Sequence, residues 1–282
     1  DRVLIGGERP ESIAALAEIY RRWVPAERIL STGLWSAELS KLVANAFLAQ
    51  RVSSINSISA LCEVTGADVE EVAAVVGADS RIGPKFLRAS VGFGGSCFQK
   101  DLLSLIYISE SYGLTEVAAY WQQVVDLNQW QKHRFADQIA APIATAEGSL
   151  RGRRIAILGF AFKKDTNDVR ETPAMDVCRR LLARGATLAV HDYRVTPESV
   201  RSEFAAQGVE VAATPEAALA GADGVAVLTE WSAYATLDWA RLAGGLKVGA
   251  VIHDGRNILD AGAVRRAGLI LRSIGRGAQP NA

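Results

Sequence analysis

Hydrophobic positions along this chain follow two rhythms, and the change between them falls near residue 150. Ahead of it, "DRVLIGG" reads as a short strand, "PESIAALAEIYRRWV" as a helix opened by proline, and "RILSTG" as a second strand. "SAELSKLVANAFLAQRVSSINSISALCEVTG" then spaces its apolar residues for a long helix, with Ser36 as N-cap, Glu38 in the first turn and Gly66 beyond the end. It is apolar on most of its surface and is expected to be buried on several sides. A shorter helix, "DVEEVAAVVG", ends at Gly77, and a loop from Ala78 to about Ser96 contains Gly83, Pro84, Gly92, Gly94 and Gly95. Amphipathic spacing resumes in "FQKDLLSLIYISESYG", stopped by Gly113, and in "TEVAAYWQQVVDLNQWQKHRFADQIAAPIA". Residues from about 36 to 146 are thus predicted to be helix and loop, and the polar "TAEGSLRGR" to be a boundary.

From Arg153 onward, strands alternate with helices. "RRIAILGF", "TLAVHDY", "GVAVLTEW" and "GAVIHD" read as strands; helices start at Thr172-Pro173, Pro197 and Thr214-Pro215, where a hydroxyl residue can cap and a proline can take the first helical position. That order predicts a doubly wound parallel sheet with its crevice at the C-terminal strand ends. "GFAFKKDTNDVRE", Asp192, "TEW" and "HDGRN" fall there. No G-x-G-x-x-G follows the first of these strands, so a standard dinucleotide cradle is not expected in this sheet. Lys163, Lys164 and Arg170 suggest a phosphorylated ligand, although a solvated lysine pair is an equal reading. The fold expected is α/β: a remnant of an N-terminal α/β domain (1–34), an all-helical central dimerisation domain (35–148), a Rossmann-like doubly wound parallel-sheet domain (149–275) and a tail (276–282).

A length of 282 residues suits two globular units. With 31 basic and 31 acidic residues and no long run of one sign, broad binding to nucleic acid or to an anionic membrane is not expected. Apolar runs are broken well short of a membrane span, and the first residues lack a signal-peptide layout, so a soluble, cytoplasmic protein is expected. Small molecules or protein are the expected partners.

Three cysteines are too few and too scattered for a disulfide framework or a zinc site. Cys62 and Cys178 sit in apolar helical patterns and read as inert core residues. Cys97, in "GFGGSCFQKD", sits where a helix begins, with Lys100 and Asp101 within one turn. Free N–H groups and positive charge at such a place stabilise a thiolate, and the glycines let backbone approach a substrate. A cysteine buried by chance is the plain alternative. Lys41 and Asn45 are four apart in "LSKLVANAFLA", hence on one helix face. They are either a snorkelling lysine and its neighbour, or donors aimed at a developing oxyanion.

Together, "WSAELSKLVANAFLAQRVSSINSISALCEVTGADVEEVA", "RIGPKFLRASVGFGGSCFQKD", "GFAFKKDTNDVRE" and "HDGRN" resemble the UDP-glucose 6-dehydrogenases, within the wider UDP-glucose/GDP-mannose dehydrogenase family. The resemblance runs over nearly the whole chain. It implies oxidation of UDP-glucose to UDP-glucuronate with two NAD, Cys97 trapping the aldehyde as a thiohemiacetal that becomes a thioester. It implies that Lys41 and Asn45 stabilise oxyanions and that Asp101 positions or activates water. UDP-glucose is expected at Lys41, Asn45, Arg81, Phe86, Arg88, Ala89, Ser90, Val91, Gly92, Phe93, Gly94, Phe162, Lys163 and Arg256, with Arg81 reaching a neighbouring subunit. Cys97, Lys100 and Arg170 are expected near NAD. Arg88 replaces the lysine of close relatives, keeping charge but changing donor geometry. Homodimers or larger homo-oligomers are implied. The family's first, NAD-binding domain has no counterpart here beyond its last elements, so a truncated form with impaired or no turnover on its own is expected. The alternatives are a non-catalytic nucleotide-sugar-binding or oligomerisation module, or a GDP-mannose 6-dehydrogenase.

Overall fold

A computed structural model describes residues 2–204 and 208–277; of the tail expected over 276–282, residues 278–282 lie outside the described residues. Strands β1 (Val3–Gly6) and β2 (Ile29–Thr32) pair in parallel, Val3 opposite Ile29, and α1 (Pro10–Tyr20) connects them. The long helix α2 (Leu34–Thr65) starts two residues ahead of Ser36. Gly33 O already accepts the Ala37 N–H, so Ser36 lies inside the first turn and is not the cap expected; its carbonyl accepts from the Ser40 hydroxyl. Helix α3 (Val69–Ala78) is capped by Asp68, whose side chain accepts from Glu70 N. Helices α4 (Phe98–Ser111) and α5 (Thr115–Ala140) complete the helical section.

The C-terminal part alternates as its sequence pattern predicts. In chain order it holds β3 (Arg154–Leu158), α6 (Pro173–Ala183), β4 (Thr187–His191), α7 (Pro197–Phe204), β5 (Val209–Val211), α8 (Pro215–Leu219) and β6 (Gly224–Val227). Then follow α9 (Ser232–Ala235), α10 (Trp239–Leu242), β7 (Val251–Asp254), α11 (Ala261–Arg266) and β8 (Ile270–Ser273). Thr172 and Thr214 cap α6 and α8 as their hydroxyl-proline pairs imply. All pairings are parallel, in the order β5-β4-β3-β6-β7-β8. The direction of winding reverses between β3 and β6, which is where such sheets open a crevice.

Packing divides the chain into two compact units, Asp1–Leu48 with Lys100–Gln122, and Ala49–Gln99 with Gln123–Ala282. The first contains the β1–β2 pair and α1. The second is built on the six-stranded sheet, whose central strands are apolar on both faces: Ile155, Ile157, Leu158, Val225 and Val227 are all sealed from solvent. Each such side chain contributes about 1.5–3 kcal/mol by burial. The same core takes in Ile55 and Cys62 of α2, Val69 of α3 and Phe135 and Ile139 of α5. Cys62 and Cys178 are buried, as expected, and burial pushes both thiols above their ordinary value.

Candidate active site

In the first unit, Lys41 and Asn45 stand one turn apart on α2, and both donate to Oδ2 of Asp101 in the first turn of α4, Asn45 Nδ2 from 2.5 Å. The Asp101 side chain is only 3% exposed. Burial would raise its pKa, but the hydrogen bonds from Lys41 and Asn45, with the charges of Lys41 and Lys100, hold it below the ordinary carboxylate value. The result is an ionised, sheltered carboxylate beside an ammonium and an amide. An ammonium has three N–H donors, so pairing with Asp101 does not exhaust Lys41. The chemistry available is acceptance of a proton from water and donation to an oxyanion.

In the second unit, Cys97 directly precedes α4 and its thiol is exposed. The glycine-rich loop before it is held by buried amides. Asn56 Oδ1 accepts Ser90 N at 2.8 Å, and Gln131 Nε2 donates to Ser90 O at 2.9 Å. Asn128 takes both sides of the Phe93 peptide, accepting its N–H at 2.9 Å and donating to its carbonyl at 3.1 Å. Val91 N bonds to Gly255 O, and Gly95 N to Arg170 O at 3.0 Å. The glycines therefore serve close approach of protein to protein, which the expected substrate approach did not include. A Cβ on Gly92, at φ +125°, would lie 2.8 Å from Asn128 Oδ1, and one on Gly94 would collide with Glu171 O. Ala89 and Val91 point into the core, which leaves their backbone as the part able to meet a ligand.

Around this loop stand the other residues expected at the site. Arg88 Nη2 donates to Asn257 O at 2.9 Å, and Arg256, largely buried, donates to Leu228 O at 2.7 Å and Phe162 O at 3.1 Å. Burial lowers the Arg256 pKa, against the pull of Glu230, whose carboxylate lies 3.3 Å away. Lys163 is exposed, its ammonium 5.3 Å from the Phe162 ring. Arg170 is exposed and forked onto Asp168, a hydrogen-bonded pairing that lifts the guanidinium above its ordinary value. Arg81 is held in the same way by Asp79. Phe86 lies at φ +62°, a left-handed conformation costing an aromatic residue about 1–3 kcal/mol, and its ring meets that of Phe98. Strain of this kind collects at ligand sites. The sequence reading missed Asn56, Asn128 and Gln131; Asn128 and Gln131 sit in the polar run "DLNQWQKHR", where a buried amide does not stand out from its neighbours.

The NAD implied by the resemblance does not fit the β3–β8 sheet in the usual manner. The backbone N–H groups of Phe160 and Ala161, just after β3, are taken by the carboxylate of Asp192, and Thr229 Oγ1 closes onto Ala161 O at 2.6 Å. Among the described residues, no group of three or more His, Cys, Asp or Glu side chains could hold a metal ion, and no helix is long and apolar enough to cross a membrane.

Comparison with known proteins bears on the family and the fold. The model of the UDP-glucose/GDP-mannose dehydrogenase family, central domain, matches residues 35–130, and that of the same family's UDP binding domain matches residues 156–261. UDP-glucose 6-dehydrogenase 1 of Oryza sativa subsp. japonica is 51% identical over 98% of this chain and 62% of its own length. UDP-glucose 6-dehydrogenase 1 of Glycine max is 50% identical over 99% of this chain and 62% of its own length. The solved structure of a UDP-glucose dehydrogenase from the hyperthermophilic archaeon Pyrobaculum islandicum aligns with a TM-score of 0.83 at 35% identity, covering 99% of this chain and 59% of that one. The chain thus spans about three-fifths of the length of these relatives. With two domains of one family matched in order, and half of its residues shared with curated relatives along nearly its whole length, the chain belongs to the UDP-glucose/GDP-mannose dehydrogenase family.

Proposed function

We propose that this chain carries the sugar-binding and thiol chemistry of a UDP-glucose 6-dehydrogenase, a cytoplasmic homo-oligomeric enzyme that oxidises the C6 alcohol of UDP-glucose to the carboxylate of UDP-glucuronate. The observation that carries this reading is the cluster of Lys41, Asn45 and Asp101, together with an exposed Cys97 that directly precedes the Asp101 helix. A module that only binds a nucleotide sugar needs neither an ionised buried carboxylate nor an accessible thiol.

Two NAD molecules, bound in turn near Lys100 and Arg170, would each supply the acceptor for one of the two hydrides that leave C6, the first from the alcohol and the second from the thiohemiacetal, which thereby becomes the thioester; the remaining steps fall to this chain. Cys97 Sγ adds to the C6 aldehyde, and the oxyanion that forms is neutralised by donors of the Lys41 and Asn45 type. Asp101, kept ionised by those same donors, accepts a proton as water attacks the thioester carbon; the thiol then leaves and the acid is released. The segment Arg88–Gly94 and Phe162, Lys163 and Arg256 form the nucleotide-sugar wall, the arginines and Lys163 matching the diphosphate's charge. Arg81 extends toward a neighbouring subunit. The assigned parts are residues 35–148 for the thiol and the dimer contact and 149–275 for the uridine nucleotide.

Two measurements test this. Calorimetric titration with UDP-glucose should show binding by this chain that weakens at least tenfold in Arg256→Met. In a protein joining this chain to a dinucleotide-binding domain, Cys97→Ser should abolish UDP-glucuronate formation. Undiminished acid formation by Cys97→Ser would remove the thioester route.

A further inference from the structure

We propose that Asp192 is a built-in substitute for phosphate: its carboxylate fills the anion cradle of the six-stranded sheet and determines that this crevice takes no dinucleotide pyrophosphate. The strand order is that of dinucleotide-binding sheets. There, the turn after the first strand offers backbone N–H groups to the pyrophosphate, and an acidic residue at the end of the second strand accepts from a ribose hydroxyl. In this sheet β3 is the first strand and β4 the second, and Asp192 directly follows β4.

Instead of facing outward to a sugar, Asp192 turns onto the neighbouring turn. Its Oδ2 accepts Phe160 N at 2.7 Å, Ala161 N at 3.0 Å and Trp231 Nε1 at 3.1 Å. Its Oδ1 accepts Arg194 N at 2.8 Å and Val195 N at 3.1 Å. Five N–H donors converging on one anion is the arrangement that backbone nests offer to phosphate. With that cradle filled from within, the chain after Ala161 does not enter a helix over a bound phosphate; it runs through Phe162 to Thr172 as a loop, and α6 begins only at Pro173. Those residues are thereby free to carry Phe162, Lys163 and Arg170. The proposal does not depend on UDP-glucose being the substrate.

Chemical rescue tests it. Asp192→Ala should lower the melting temperature by several degrees, and formate or inorganic phosphate should restore part of that loss where chloride at matched ionic strength does not. The unaltered chain, its cradle occupied, should gain no more from formate than from chloride, and whatever it gains from phosphate, a generally stabilising anion that its nucleotide-binding residues also match, is subtracted from the gain of the variant. Asp192→Ser, which keeps a small acceptor and leaves room for an anion, carries the same test if the alanine variant does not fold. A variant that folds only with formate or phosphate supports the proposal. Variants no more responsive to these anions than the unaltered chain, variants that fold with neither anion, or an unchanged melting temperature in Asp192→Ala, overturn it.

Discussion

Replacing Asp101 by asparagine tests the cluster on α2 and α4 through stability alone, without substrate. The change removes the charge and turns one acceptor oxygen into a donor facing the donors of Lys41 and Asn45. A hydrogen bond to a charged group contributes about 1.5–3 kcal/mol. The Lys41 side chain is 59% exposed, so solvent screening reduces its share to about 1 kcal/mol or less. The Asn45 bond, made to a carboxylate that is 3% exposed, contributes about 1–2 kcal/mol. The expected loss is about 1–3 kcal/mol, or roughly 2–12 °C in melting temperature. The pH dependence has a definite sign. Asp101 has a folded-state pKa below its unfolded value of about 3.9, so its contribution is complete above that value and is lost as pH falls through the lower, folded one. Thermal unfolding followed by circular dichroism should therefore show a gap between the parent and Asp101→Asn at neutral pH that narrows below about pH 4. A gap that persists unchanged into acid, or no gap at neutral pH, would refute the assignment of Asp101 as an ionised, donor-stabilised group.

Iodoacetamide should modify one thiol, Cys97, in the native chain and all three after denaturation, as read by intact mass; rapid native labelling of Cys62 or Cys178 would contradict their burial. Asn128→Ala should cost about 2–4 kcal/mol in urea unfolding, since the Phe93 peptide loses both partners in a buried place. Gly92→Ala should destabilise by about 1–3 kcal/mol, because φ is +125° and Asn128 occupies the space a Cβ needs; a neutral result would mean that the loop can relax.

Much of this architecture is legible in the sequence because burial writes itself as periodicity. Central strands such as "RIAIL" and "GVAV" are apolar on both faces, and hydroxyl-proline pairs mark the starts of α6 and α8. Two strands escape that reading. β5 is three residues long, and β8 lies at the sheet edge with alternate residues exposed, so neither carries a continuous apolar run. Within the site, Lys41 and Asn45 stand out as polar interruptions one turn apart, and the structure supplies their common acceptor, Asp101, from more than fifty residues away. Asn56, Asn128 and Gln131 bond to backbone groups far along the chain, and no local pattern announces such partners. The same limit hides Asp192, whose acceptor role depends on β3 and β4 lying side by side.

The loop ahead of Cys97 also has a place in time. Its fastenings come from α2, made earlier, from α5, and from the stretch after β7; the Arg88–Asn257 bond joins residues 169 apart in sequence. Contacts of such separation form only after the intervening chain has been made, and late for want of any local contact to prepay the loop closure. During synthesis the cysteine thus leaves the ribosome long before the last of its supports, and passes that interval as an ordinary unpositioned thiol. Any chemistry that depends on the loop switches on only when the sheet closes behind it.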